Sequence, residues 1–283
     1  MRGQAKVLVC FFLLTSASLA AVGQARRGAE GQRRGAAGEG AERRGTAPRS
    51  ATAERIEKRS YVFPDTKTKI EYALFVSTKV KKSNKSPLVV ALHGAGVAPD
   101  QMLAFVSDEA QNRGYIVAAP MGYTLEGWYG IQSRIPRDAQ PPNLAELSEK
   151  DVMNVLELVR KDFNIDDQRI YLLGQSMGGA GALYLGTKYH DVWAAVAATA
   201  PAAGGLSPSI LESATEIPMI VVHGDADQSV NVAQTRRWID KMRELKMTSE
   251  YYEIPGGGHR DAIIVGAPRV FEFFDKHSKP SIR

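Results

Sequence analysis

Apolar and polar residues change their spacing several times along the 283-residue chain, and each change marks an expected element. Tyr61-Val62-Phe63 and residues 70–76 read as two strands separated by the turn-forming pair Pro64-Asp65. The run Leu88-Val89-Val90-Ala91-Leu92 is continuously apolar, the pattern of a strand covered on both faces. A helix is expected over 101–111, a strand over 115–119, then a long loop and a helix over 144–163. In that last helix Val152, Val155, Leu156, Leu158 and Val159 form a broad apolar face. The alternation repeats downstream, with strands over 170–173, 192–200, 219–222 and 251–254 and helices over 177–190, 232–245 and 268–277. Two opening strands followed by strand–helix pairs predict an α/β fold, with a mostly parallel central sheet and helices on both faces. Residues 56–283 are expected to form one domain.

What precedes residue 56 has a different composition. Arg2 and Lys6 are followed by an apolar run over 7–14 and then by small residues. Ser18-Leu19-Ala20 and Gly23-Gln24-Ala25 both satisfy the small-x-small cleavage rule, so residues 1–25 read as a signal peptide and the protein as secreted or periplasmic. The run is shorter than the roughly 20 apolar residues a spanning helix needs, so no stable membrane span is expected. Residues 26–55 hold Gly, Ala, Arg and Glu with almost no larger apolar side chain. Such a segment buries too little surface to offset its conformational entropy and reads as a disordered linker.

This division changes the meaning of the charge. Of the formal +5, residues 1–25 carry +2, and residues 26–55 carry +4 from eight Arg against four Glu, which leaves −1 for the body. The basic balance therefore belongs to the N-terminal segments and gives no ground for a nucleic-acid partner. The only cysteine, Cys10, lies inside the expected signal peptide. A mature chain without it has no disulfide, thiolate metal site or cysteine nucleophile.

Candidate chemistry begins at Gly174-Gln175-Ser176-Met177-Gly178, directly after the strand Ile170-Tyr171-Leu172-Leu173 and directly before a helical pattern. A serine on a strained strand-to-helix turn presents its hydroxyl at the top of a sheet, and only small neighbours fit around such a turn. A serine nucleophile needs a base, and the base needs an orienting group. The acid comes from His223-Gly224-Asp225-Ala226-Asp227, just past a buried strand. Asp227, further round the loop, is the expected triad member, and Asp225 is expected to form the turn through bonds to its own backbone. His259 follows Gly256-Gly257-Gly258 and is the expected base, on a loop that three glycines should make mobile. His223 is expected to brace the acid loop, His93 to be structural, and His190 and His277 to be surface groups. Two backbone N–H donors should hold the oxyanion: Met177, and Ala95 in Leu92-His93-Gly94-Ala95-Gly96, with Gly96 and Gly94 behind it.

In this order the motifs resemble the secreted α/β-hydrolase esterases grouped with polyhydroxybutyrate depolymerases and feruloyl esterases. They are more distantly similar to dienelactone hydrolases and to the catalytic domain of prolyl oligopeptidases. The residues carrying the resemblance are His93-Gly94-x-Gly96, Asp166-x-x-Arg169-Ile170-Tyr171, the segment 174–179, His223-Gly224-x-x-Asp227 and His259. The resemblance implies an α/β-hydrolase fold and a cofactor-free, metal-free serine esterase acting on small or oligomeric esters, acylated carbohydrate, feruloyl or hydroxyalkanoate among them. The disulfide cysteines usual in the secreted esterases are absent.

The loop over 121–143 contains Tyr123, Leu125, Trp128, Tyr129 and Ile131, and is too long for a plain connection. Trp128 and Tyr129 are candidates for a substrate wall; a packed lid with Trp128 in a small satellite core is the competing reading. Two rival functions use the same residues, a serine peptidase of prolyl-oligopeptidase type and a non-catalytic binding module that keeps the fold. Assays on aminoacyl amides against acyl esters separate the first rival, and failure of an active-site serine probe to react would favour the second.

Overall fold

The computed structural model describes residues 50–280. The expected signal peptide, Cys10 and residues 26–49 of the expected linker lie outside the described residues. Eight strands form one sheet: β1 (Glu57–Val62), β2 (Lys69–Val76), β3 (Ser86–Leu92), β4 (Ile116–Pro120), β5 (Ile165–Gln175), β6 (Ala195–Thr199), β7 (Met219–Gly224) and β8 (Ser249–Ile254). The helices are α1 (Pro99–Ala104), α2 (Ser107–Arg113), α3 (Leu144–Asp162), α4 (Met177–Lys188), α5 (Val232–Glu244), α6 (Asp261–Ile264) and α7 (Ala267–Lys276). The strand order is β1-β2-β4-β3-β5-β6-β7-β8. β2 pairs antiparallel with β1 and β4, and every pair from β4 through β8 is parallel. This is the mostly parallel α/β sheet expected from the sequence.

The continuous apolar run in β3 has the cause inferred for it. Leu88, Val90 and Leu92 face a core formed with α3, α4 and α5, and Val89 and Ala91 face a second core formed with α1, α2, α6 and α7. All five are fully buried, which is why this run of the strand is apolar at every position. Opposed layers of this kind pin the sheet from both sides and hold the carboxyl ends of β3, β5, β6, β7 and β8 at one edge.

Several expected boundaries move. The helix expected over 101–111 is two short helices, α1 and α2, broken at Phe105-Val106. β5 starts at Ile165, five residues earlier than its apolar run, because Ser86 pairs with Ile165 across an irregularity in the β3–β5 register. The body begins before Ile56. Ala53–Arg55 is a 3-10 turn with Ala53 buried, and the Arg55 guanidinium donates to the Val76 carbonyl at 2.7 Å and to Gln111 Oε1 at 2.8 Å. Its charged plane lies 5.3 Å from the Phe75 ring centroid. Residues 50–55, expected to be linker, are thus docked on β2 and α2. Ser50, whose hydroxyl donates to Asp108 Oδ1 at 3.0 Å, anchors them with Ala53 and Arg55, which a composition average over 26–55 conceals.

Candidate active site

Ser176 lies between the last residue of β5 and the first of α4, with φ 58° and ψ −113°. This left-handed conformation is strained for a residue with a Cβ, and the packing around it shows what holds it. A Cβ on Gly174 would fall 1.9 Å from the Gly178 carbonyl oxygen, and one on Gly178 would fall 2.1 Å from the Leu92 carbonyl oxygen. The small residues flanking the serine are therefore demanded by backbone passing against backbone. The Ser176 N–H donates to the Thr199 carbonyl (2.9 Å), and its carbonyl accepts from Ala202 (2.9 Å) and Ala180 (3.0 Å). Its hydroxyl makes no hydrogen bond among the described residues and is partly exposed.

Asp227 sits in the loop after β7 with its side chain fully buried. Its Oδ1 accepts from the Ser229 N–H (2.7 Å) and the Val230 N–H (2.9 Å), and its Oδ2 lies 2.7 Å from His259 Nδ1 and 3.0 Å from His223 Nε2. Burial alone would raise the carboxyl pKa. The Val230 N–H, His259 and the Ser229 N–H more than offset that, so the group lies below its ordinary value and is ionised at neutral pH. A carboxylate only accepts, so His259 Nδ1 carries the proton and leaves Nε2 as the ring's free lone pair.

Asp225 lies in a turn as expected, closed by the Asp227 N–H on the Gly224 carbonyl at 3.3 Å, but its side chain bonds another loop instead of its own backbone. Its Oδ1 accepts from the Gly256 N–H at 2.6 Å and so fastens the histidine loop to the acid loop. That loop, expected from its three glycines to be mobile, is tied at several points. Ala226 N–H donates to the Gly257 carbonyl (3.0 Å), Gly258 N–H to Asp261 Oδ2 (2.7 Å), and Gln175 Nε2 to the His259 carbonyl (3.0 Å). The glycines serve close approach: a Cβ on Gly224 would fall 2.1 Å from the Gly257 oxygen. Gln175 also links the elbow, one residue before Ser176, to the backbone of His259. The structure thus joins Asp227 and His259 directly and bonds Gln175, the residue before Ser176, to the His259 backbone. No hydrogen bond joins Ser176 Oγ to the imidazole, and such bonds often form only when substrate arrives.

His93 is structural, as expected. Its Nδ1 lies 2.9 Å from the Gly94 carbonyl and its Nε2 lies 2.8 Å from the Met121 carbonyl, and burial lowers its pKa despite those contacts. A Cβ on Gly94 would lie 3.4 Å from the Ser176 Cβ, so this loop passes directly beside the elbow. Gly96 N–H is committed to the Leu125 carbonyl at 3.1 Å, while Ala95 N–H has no partner among the described residues. Met177, the first residue of α4, has an N–H that no intrahelical carbonyl can reach.

Tyr129 cannot line a substrate wall. It is fully buried: its ring lies against Gly181 of α4, its N–H donates to Ser148 Oγ (3.0 Å) and its hydroxyl donates to the His93 carbonyl (3.2 Å). Trp128 is half-buried, packs on the core of α3 and α4, and carries the Arg134 guanidinium 4.2 Å from its ring centroid. Tyr123, Trp128 and Tyr129 all have positive φ, between 48° and 63°. What holds them came from helix α3 and was missed in the sequence: Asp151 Oδ2 accepts from the N–H groups of Gly122 (2.7 Å) and Tyr123 (3.1 Å), and its Oδ1 accepts from the Tyr61 hydroxyl (2.5 Å). Burial pushes the Asp151 carboxyl up to about 6, although Tyr61 and the backbone donors pull the other way. The available signal was polar residues, Ser148, Glu149 and Asp151, on a helix face that should have been apolar.

No group of three or more His, Cys, Asp or Glu side chains suited to a metal occurs among the described residues, and none of their helices is long and apolar enough to cross a membrane. A bifunctional acetylxylan esterase/xylanase of Neocallimastix patriciarum is 27% identical over 161 residues, which cover 56% of this chain and 22% of that protein. The chain therefore spans about a fifth of that relative's length. The crystal structure of a thermostable esterase superposes with TM-score 0.64 and 26% identity, covering 81% of this chain and 64% of the other. A ferulic acid esterase from Anaeromyces mucronatus, in complex with ferulic acid, shares the fold with TM-score 0.62 at 18% identity, covering 78% and 90% of the two chains. The family model described as phospholipase/carboxylesterase matches residues 75–264, which include the elbow, the acid loop and His259, and the chain belongs to that α/β-hydrolase family.

Proposed function

We propose that this protein is a secreted serine hydrolase that cleaves carboxylic esters through an acyl-enzyme. The observation that carries the reading is the buried Asp227–His259 contact of 2.7 Å on the loop that Gln175 ties to the nucleophile elbow. The Ser176 hydroxyl proton passes to His259 Nε2 as Oγ bonds to the acyl carbon. Asp227 stabilises the resulting imidazolium, and the N–H groups of Met177 and Ala95 hold the developing oxyanion. Collapse breaks the carbon–oxygen bond of the ester, and His259 returns the proton to the departing alcohol. Water then attacks the acyl-serine with His259 again as base, which frees the acid and regenerates Ser176.

The substrate class is an ester of a carbohydrate, a feruloyl group or a hydroxyalkanoate. The names of the acetylxylan and ferulic acid esterases support the first two. Ser176→Ala should abolish fluorophosphonate labelling and lower kcat on p-nitrophenyl acetate by on the order of 10⁶-fold, as loss of a triad serine does elsewhere. Equal labelling of wild type and variant overturns the assignment. A panel of acetyl, butyryl, feruloyl, hydroxybutyryl and acetyl-xylose esters then ranks the acyl groups, and assay of the culture medium apart from the cells tests secretion.

A further inference from the structure

Asp227 Oδ2 is shared by two histidines, and the serine-hydrolase mechanism uses only one of them. The second, His223, is the fifth residue of β7 and has no exposure to solvent. Its Nε2 faces two groups that can only accept, Asp227 Oδ2 at 3.0 Å and the Val230 carbonyl at 3.1 Å. Its Nδ1 lies 2.7 Å from the Thr235 hydroxyl on α5. Of the two neutral tautomers only one satisfies all three contacts: Nε2–H donates to the carboxylate and the carbonyl, and Nδ1 accepts from Thr235. The ring is neutral in that arrangement, and burial lowers its pKa accordingly.

On the triad reading above, we infer that His223 is a positioning residue that holds Asp227 Oδ2 from behind and so aims the carboxylate at His259. With Ser229 and Val230 on Oδ1 and the two imidazoles on Oδ2, the carboxylate has a donor in each of its roughly four lone-pair directions and no freedom to rotate. Asp227 and the Val230 carbonyl make Nε2 the protonated nitrogen, and the Thr235 hydroxyl of α5 holds Nδ1 on the far side of the ring. The His223 donor also draws negative charge from the oxygen that faces His259 Nδ1. Charged or titratable groups around His223 are Asp227 and His259 on the two loops and Glu253 on β8, itself paired with Arg236 of α5 at 2.6 Å.

The test compares wild type, His223→Leu and His223→Gln of the full chain. Leucine removes the donor; glutamine can place an amide N–H where Nε2–H was. His223→Leu should lower kcat roughly 10–100-fold, the loss typical of outer-shell partners, with KM nearly unchanged. The acid limb of its kcat/KM profile should move to higher pH, and His223→Gln should restore both toward wild type. A wild-type kcat and acid limb in His223→Leu overturn the inference. So does a loss with an unmoved acid limb that glutamine fails to rescue. If the leucine variant does not fold, ¹⁵N-histidine NMR of wild type decides: a neutral Nε2–H tautomer supports the inference, and an Nδ1–H or doubly protonated ring overturns it. Fluorophosphonate labelling of each sample keeps the two claims apart. Unlabelled wild type sinks the triad reading itself, whereas a labelled, active wild type with an indifferent His223→Leu sinks only this role.

Discussion

Around Ser176 the chain meets itself backbone to backbone, whereas residues 121–143 meet α3 backbone to side chain. At the elbow, Gly174, Gly178 and Leu92 come so close that no Cβ fits between them, and at the acid loop Gly224 and Gly257 do the same. In the long loop, left-handed residues with large rings are held instead by Asp151 and Ser148, reaching out from a helix. Both regions sit at the carboxyl edge of the sheet and both store strain. In the first, residue size at a few adjacent positions enforces the strain. In the second, buried hydrogen bonds to residues some 20–30 positions away enforce it.

Changes at the first region should act on chemistry or abolish folding, and changes at the second should act on stability. After Ser176→Ala, the largest effect is expected from Asp227→Asn, which keeps the shape of the site but lets His259 adopt the wrong tautomer. A fall in kcat of about 10⁴-fold is the expected size, measured by steady-state kinetics with the melting curve as control. Gly178→Ala comes next. Its methyl group would meet the Leu92 carbonyl, and a loss exceeding about 4 kcal/mol in urea unfolding is expected from so severe a backbone clash. A fully stable Gly178→Ala would remove the distinction drawn between the two regions.

Asp151→Asn probes the second region through pH. The folded carboxyl is pushed up to about 6 from 3.8, so folding favours its protonated form. Its contribution is fully present below the unfolded value and is lost as pH rises through about 6. Wild type should therefore lose up to about 3 kcal/mol from this group between about pH 4 and pH 7, and Asp151→Asn should not show that part of the slope. Equal slopes in chemical denaturation would mean that Asp151 is not the titrating group. The smallest effect is expected from Trp128→Ala: kcat on p-nitrophenyl acetate within about threefold of wild type and a raised KM for feruloyl esters, since an apolar contact contributes only about 1–3 kcal/mol of discrimination.

The same contrast explains what could be read from the sequence. The parallel sheet was legible because the apolar run at Leu88–Leu92 and the repeated strand–helix rhythm are local signals. The surroundings of Ser176, Asp227 and His259 were legible because their constraints fall on adjacent residues. Tyr129 was misread because a loop aromatic gives no sign of its burial until the small face of α4, at Gly181, is set against it. The Asp225–Gly256 bond was illegible for a related reason. It depends on two loops brought together by adjacent strands, β7 and β8, whose pairing cannot be read from either segment alone, whereas His223 reaches Asp227 only four residues on and was expected to brace that loop.

The docking of Arg55 fixes where the upstream chain meets the folded body. It bonds to Val76, and Val76 pairs with Ile116 at the amino end of β4, whereas Ser176, Asp227 and His259 lie past the carboxyl ends of β5, β7 and β8. A fusion at this end would start from the rim opposite Ser176, Asp227 and His259. A shortened chain meant for such use should keep Ser50–Arg55, because cutting at Ile56 would strip the cover from Phe75 and the partner from the Val76 carbonyl.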